Sequence, residues 1–310
     1  MNSASIVVIG STNTDMVIKA SHLPQPGETI LGGTFFMSAG GKGANQAVAA
    51  ARLGGSVLFI AKTGYDIFGK QSIELFEKES IDISCIQRDH YQPSGVALIT
   101  VDDQGENCIA VAPGANMTLT PQDIDEAKEK IETASLLLIQ LEIPMETVEY
   151  VANIALLKGI KLILNPAPAA KLKDDLLKKI SIITPNQKEA EMLTGIKIID
   201  DSSAKQAAEF LKNKGIETVI ITMGAAGALM LHENKFQMIP GYKVNVTDTT
   251  AAGDVFNGAL AVALAEGKNM EDGVTFACKA AAISVTRLGA QASAPFRKEV
   301  EESENAMNNE

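Results

Sequence analysis

Cysteine and histidine are both scarce in this chain. Its three cysteines, Cys85, Cys108 and Cys278, are odd in number, widely spaced and without a CxxC pair. That pattern excludes a disulfide framework and a zinc site and fits a reducing cytosol. The three histidines, His22, His90 and His232, lie far apart with no acidic or cysteine partner pattern, which argues against a histidine triad or a histidine-based metal cluster. No apolar run approaches the ~20 residues that span a membrane. Met1 to Ser5 has neither a basic region nor an apolar core, so no signal peptide is expected. Basic residues are outnumbered, 27 to 38, and the net charge of −11 disfavours a nucleic-acid backbone or an anionic membrane as partner. Phosphate ligands stay open, because backbone N–H groups bind anions without net positive charge. No GxGxxG occurs, so a nucleotide-dependent dehydrogenase lacks its fingerprint.

What is present is an alternation of strands and helices. With 310 residues and 46% hydrophobic content, the chain can bury a large core. Strands are read at Ile6 to Ile9, Ser56 to Ala61, Leu136 to Leu141, Lys161 to Leu164, Ile180 to Ile183 and Thr218 to Thr222. Helices are read at Ala44 to Leu53, Ile67 to Glu79, Met145 to Lys158 and Ser203 to Lys214. A further helix starts with Thr120 as N-cap and Pro121 at N1 and runs to about Glu132, and a short one ends near Leu193. Repeated βαβ units predict a three-layer α/β/α fold around a mostly parallel sheet. Two segments, about 12–38 and 94–112, carry strands without an intervening helix. They are read as a small inserted sheet within one domain spanning 1–310. Such a sheet has an apolar face that needs a cleft or another subunit as cover. The polar, acidic tail, Glu301 to Glu310, is expected to fray.

Asp248-Thr249-Thr250-Ala251-Ala252-Gly253-Asp254 follows the strand-like Lys243 to Val246 and opens a small-residue apolar helix, Val255 to Ala265, closed by Gly267. With Thr249 or Thr250 as N-cap, the free N–H groups belong to Ala251, Ala252, Gly253 and Asp254, and their small side chains leave the mouth open to an anion. Asp254 then reads in two ways: as a first-turn acid favoured by the helix dipole, or as a base beside the phosphate that takes a proton from an attacking hydroxyl. Other polar residues fall at strand ends, where ligands collect in open parallel sheets: Asn13, Asp15, Glu142, Asn165, Asn186, Glu189 and the Met223 to Gly227 turn. The run Ser38 to Asn45 is glycine-rich but is no Walker A loop, since Gly43 follows Lys42. At Gly64 to Gln71, Gln71 replaces the required hydroxyl, so that stretch reads as a turn.

Gly40-Gly41-Lys42-Gly43-Ala44-Asn45, the Asn186-x-x-Glu189 pair and Asp248 to Asp254 together resemble the PfkB-type, ribokinase-like carbohydrate kinase family, from about Ile6 to Arg297. The resemblance implies ATP-dependent phosphorylation of D-ribose at its 5-hydroxyl, with Asp254 as base and Ala251, Ala252 and Gly253 as the anion hole. It implies that Asn13, Asp15, Gly41, Lys42, Gly43, Asn45 and Glu142 hold the sugar. It places nucleotide contacts at Asn186, Thr222, Gly224, Gly227 and Gly253, with Cys278 near adenine where relatives often have His or Asn. Glu189 matches a position linked to Mg²⁺ through water. Asp248, Thr250, Ser284, Arg287, Gly289 and Ser293 match a potassium site. The resemblance further implies a cytoplasmic homodimer whose small sheet closes as a lid and pairs with its partner. A kinase for deoxyribose, fructose or a nucleoside, and a non-catalytic sugar-binding regulator, are the alternative readings.

Overall fold

Ser5–Ile9 (β1) is a short run with no polar face, and in the computed structural model, which describes residues 5–307, it lies at the centre of the larger sheet. It pairs in parallel with Ser56–Gly64 (β4) on one side and Leu136–Ile139 (β8) on the other. Ile6 and Val8 enter one hydrophobic cluster and Val7 and Ile9 the other, so successive residues feed opposite faces of the sheet. Helices Lys42–Arg52, Ala252–Ala265 and Met270–Ser284 cover the first face, while Met145–Lys158 and Asp201–Asn213 cover the second.

The other strands of the sheet are Asp82–Asp89 (β5), Lys161–Leu164 (β9), Ile182–Ile183 (β10), Thr218–Thr222 (β11), Gly227–His232 (β12) and Lys235–Pro240 (β13). The order is β13-β12-β11-β10-β9-β8-β1-β4-β5. Within this sheet, among the described residues, only the β11–β12 and β12–β13 pairings are antiparallel. The three-layer, mostly parallel architecture is thus the one expected.

A separate sheet has the order β3-β2-β6-β7, from Asn13–Lys19 (β2), Thr34–Gly40 (β3), Gly95–Val101 (β6) and Asn107–Ala112 (β7). Register assigns its faces. Asn13 and Asp15 share one face of β2 and pair with Gly40 and Ser38. Ile18 lies on the opposite face with Phe35, Met37 and Leu98, all of them exposed.

Several local expectations are corrected. The helix from Thr120 breaks at Ala127 into Pro121–Glu126 and Lys128–Glu132, although Thr120 does cap it in a reciprocal box with Asp123. The strand expected to reach Leu141 stops at Ile139, and the one expected from Ile180 begins at Ile182. Lys243 to Val246 pairs with no strand, and the helix from Ile67 ends at Lys78. The tail does not fray from Glu301, because Arg297–Met307 is helical; 308–310, like Met1 to Ala4, lie outside the described residues. No helix among the described residues is long and apolar enough to cross a membrane.

Helix Ala252–Ala265 lies directly on helix Lys42–Arg52, and at Gly258 there is no room for a side chain between them. A Cβ there would stand 2.8 Å from the Ala49 Cβ and the Gln46 carbonyl oxygen. At Gly273, by contrast, the nearest atoms would be 3.4 Å away. Gly258→Val should therefore cost about 1–3 kcal/mol through overpacking. Gly273→Ala should be neutral or gain up to ~1 kcal/mol of helix propensity. Urea unfolding of both variants tests this, and equal stabilities would contradict the close contact.

Candidate active site

The carboxyl ends of β1, β8, β9, β10 and β11 face the N-termini of three helices, and the polar residues gather there. Helix Lys42–Arg52 starts from Gly41, whose φ of 89° is left-handed and where a Cβ would lie 2.7 Å from the Thr12 Cα. A Cβ on Gly43 would stand 2.6 Å from the backbone of Gly10 and Ser11, and one on Gly40 would strike the Asp15 carboxylate at 2.2 Å. The glycines of this stretch thus let a helix sit on a strand end and leave room for a carboxylate.

Glu142, just after β8, holds that helix start in place. Its Oε2 accepts from the Ser11 hydroxyl at 2.5 Å and from the Lys42 backbone N–H at 3.0 Å. Asp15 points to the same place and is pushed up to about 6, first by burial and then by Glu142 and Asp254. Asn13 is buried, and its Oδ1 accepts from Asn116 Nδ2 at 2.7 Å. Asn116 also brackets Thr12, accepting from its N–H at 2.9 Å. Nothing in the sequence around Asn116 advertised this role.

Asp254 is buried in the first turn of helix Ala252–Ala265. Its Oδ2 accepts from Asn45 Nδ2 and its Oδ1 from Gln46 Nε2, both at 2.9 Å. Burial raises its pKa, opposed by Lys42 and by those two hydrogen bonds, while Glu142 adds to the rise. Burial works against the charge on Lys42, yet Asp254, Glu142 and Glu189 hold its pKa above the ordinary lysine value. Asn45 keeps Oδ1 as a buried acceptor without a partner among the described residues.

The helix mouth differs from the expectation in one respect. Neither Thr249 nor Thr250 is the cap. Ala251 occupies that position in the left-handed region, φ 59°, with no side-chain cap. Thr250 instead turns its hydroxyl to Asp248 Oδ1 at 2.6 Å. The Ala252 N–H bends back to the Thr249 carbonyl at 3.3 Å, while those of Ala251, Gly253 and Asp254 have no acceptor among the described residues. Three donors therefore remain at the positive end of the helix. Lys42, Asn186, Glu189, Thr222, Ala251, Ala252, Gly253 and Asp254 line one cavity of about 150 Å³ together with Asn165, Thr184 and Asn257.

Asn186 and Glu189 form a reciprocal capping box on helix Gln187–Thr194, at 2.9 and 2.8 Å. Burial raises the pKa of Glu189, partly offset by the Asn186 N–H and by Lys42. Thr222 ends β11 and bridges to Asn186. Gly224 and Gly227 bound the following turn, and a Cβ on Gly227 would strike the Ile239 carbonyl at 2.1 Å. These two glycines and Cys278 lie outside the cavity lining. Cys278 packs in the apolar core, and burial pushes its thiol up to about 12.

Asp248 gathers part of the expected cation site. Its Oδ2 accepts from the Gly289 N–H at 2.9 Å, and the N–H groups of Thr247 and Asp248 donate to the Val285 carbonyl. Three of the expected residues turn their side chains elsewhere. Ser284 donates to the Ala281 carbonyl, Ser293 to the Ala290 carbonyl, and Arg287 pairs with Glu299. Any cation held here would rely on one carboxylate, hydroxyls and loop carbonyls, which are hard oxygen donors. No group of three or more His, Cys, Asp or Glu residues among those described could hold a metal ion.

The comparisons with known proteins follow the same lines. The ribokinase of Haemophilus influenzae is 46% identical over 295 residues, covering 95% of this chain and 96% of that protein. The deoxyribokinase of Salmonella typhimurium is 38% identical over 291 residues, 94% of this chain and 95% of that protein. A solved structure of Arabidopsis thaliana ribokinase complexed with ribose and ATP superposes with a TM-score of 0.91 at 32% identity, covering 97% of this chain and 98% of that one. The model of the pfkB family carbohydrate kinases matches residues 3–297, and the chain belongs to that family.

Proposed function

We propose that the chain transfers the terminal phosphoryl group of ATP to the 5-hydroxyl of D-ribose, giving D-ribose 5-phosphate and ADP. The observation that carries this reading is a buried carboxylate, Asp254, in the first turn of a helix whose neighbouring N–H groups are unpaired. A carboxylate there can take the hydroxyl proton as the oxygen attacks phosphorus. The N–H groups of Ala251 and Gly253, with Lys42, meet the charge on the transferring group. Ribose as acceptor is supported by the ribokinase relatives and by the Arabidopsis complex. Sugar hydroxyls meet Asn13, Asp15, Gly41, Lys42, Gly43, Asn45 and Glu142, a set of paired donors and acceptors that penalises a missing hydroxyl. ATP lies along Asn186, Thr222, Gly224, Gly227 and Gly253. Cys278 offers adenine an apolar thiol rather than a hydrogen bond. Mg²⁺ would accompany the nucleotide phosphates and neutralise their charge, and Glu189 is the residue that would help hold it, through water. A cytosolic location is in keeping with the three widely spaced, free cysteines. A second acceptor, 2-deoxyribose, is favoured by the deoxyribokinase relative, and kcat/KM for the two sugars decides between them.

Two finer assignments belong to the same reading. Asp248, Thr250 and Gly289, with backbone carbonyls at Ser284, Arg287 and Ser293, would hold potassium beside the helix mouth. The small sheet is a lid, 12–38 and 94–112, that carries Asn13 and Asp15 over the sugar. Its opposite face, with Ile18, Phe35, Met37 and Leu98, pairs with a second copy of the chain.

Asp254→Asn should lower kcat by ~10²–10⁴, the usual effect of removing a positioned base, in a protein that stays folded. Near-normal turnover in a coupled ATP assay would remove Asp254 from the role. Replacing potassium by sodium at constant ionic strength should slow turnover, and an unchanged rate would count against the cation site. Leu98→Glu puts a charge into the apolar face and should yield monomers in sedimentation velocity. A dimer of unchanged affinity would place the interface elsewhere.

A further inference from the structure

Behind Asp254 runs a chain of buried side-chain amides that the reaction as described does not use. Gln46 is fully buried, and its Oε1 accepts from Gln140 Nε2 at 2.6 Å, which fixes the amide so that its nitrogen faces the site. That nitrogen donates to Asp254 Oδ1 at 2.9 Å and to Asn165 Oδ1 at 3.1 Å. Asn165 passes its own amide N–H to the Thr184 carbonyl at 3.2 Å. The Thr184 hydroxyl donates to Asn257 Oδ1 at 2.6 Å, and Asn257 Nδ2 donates to the Gly253 carbonyl at 2.8 Å. Gln140, Asn165 and Thr184 follow β8, β9 and β10, so the chain crosses the ends of three adjacent strands. It begins at the base and returns to the residue before it.

We infer that Gln46 is a positioning residue. It fixes the plane of the Asp254 carboxylate and, through Asn165, Thr184 and Asn257, ties that carboxylate to the Gly253 turn that receives phosphate. Each amide has one orientation that satisfies its neighbours, and reversing Gln46 would break its bonds to Gln140, Asn165 and Asp254 together. With Asn45 on the other oxygen, the carboxylate cannot rotate about Cβ–Cγ without losing a buried hydrogen bond. The same bonds favour its ionised form against burial. Lys42, Asp15, Glu142 and Glu189 are the charged groups that face it from the surrounding elements. Gln140 rests on bare backbone, since a Cβ at Gly10 would lie 2.1 Å from its Oε1.

The inference rests on Asp254 being the base, and the tests keep the two apart. Gln46→Met preserves length and removes every polar atom. It should lower kcat about 10- to 100-fold, the scale of one hydrogen bond to a charged group, with little change in the KM for ribose. Losing a bond that favours ionisation raises the pKa of Asp254, so the acid limb of the kcat–pH profile should move to higher pH. A purely structural role would cut kcat in proportion to the folded fraction and leave the limb in place. That result, or unchanged kcat in a folded protein, overturns the inference. Should Gln46→Met fail to fold, Gln140→Met removes only the donor that fixes the amide, and the same limb shift is required of it. Thr184→Val severs the link to Asn257, together with a longer bond to the Leu164 carbonyl at 3.4 Å, and should lower kcat without moving the limb. If Asp254→Asn is inactive while Gln46→Met behaves as wild type, positioning alone fails. If Asp254→Asn retains turnover, the base assignment itself fails.

Discussion

Holding an ionised carboxylate out of water requires fixed partners, because an uncompensated buried charge costs several kcal/mol. Asp254 has two amide donors and one ammonium group nearby, and the fold around it serves to bring them within reach. Asn45 and Gln46 lie on helix Lys42–Arg52, whereas Asp254 lies on helix Ala252–Ala265. The two helices must nearly touch for the bonds to form, and Gly258 removes the side chain that would hold them apart. Gly43 lets the first helix settle on the end of β1 in the same way. The small residues of these segments thus follow from one electrostatic requirement.

The same requirement divides the site into two halves. On one side Asp15 and Glu142 accompany Asp254, and the mutual repulsion of acids, added to burial, keeps Asp15 near 6. Such a group of acceptors suits hydroxyl donors. On the other side the unpaired N–H groups of the helix mouth and Lys42 suit anionic oxygen. Asp254 stands at the boundary, where the hydroxyl and phosphoryl group of the proposed reaction would meet. Lys42 belongs to both halves, since Asp254, Glu142 and Glu189 all hold its charge.

The parallel strands were legible because their apolar runs are short and continuous and end at turn residues. Less legible were β5, whose residues are half-exposed, and the β12–β13 hairpin, whose turn at Glu233 and Asn234 lacks glycine. Thr249 and Thr250 looked like caps because hydroxyl residues usually fill that position. Asp248 draws Thr250 away, and Ala251 takes a left-handed conformation instead. Asp254, Lys42 and Glu142 could be singled out because charges at strand and helix ends are conspicuous. Gln46, Gln140 and Asn116 could not. A buried amide has no characteristic neighbour in sequence, and its partners lie up to 208 residues away.

The small sheet follows from the same geometry. Only three residues, Gly10 to Thr12, separate β1 from β2, so Asn13 and Asp15 stand at the junction of the two sheets. Asn116, arriving from beyond β7, clamps that junction by bonding Thr12 and Asn13 together. Asp15 is therefore carried by the small sheet, while Glu142 and Asp254 belong to the large one. Any change in the angle between the sheets alters the separation of like charges in a region poor in water, where Coulomb energies are steep. With nothing between them, these carboxylates repel and favour separation. A polyol whose hydroxyls donate to both sides replaces that repulsion with hydrogen bonds that span the junction. If the small sheet closes over the sugar as proposed, the acids that meet the sugar would also supply the force that makes closure depend on it.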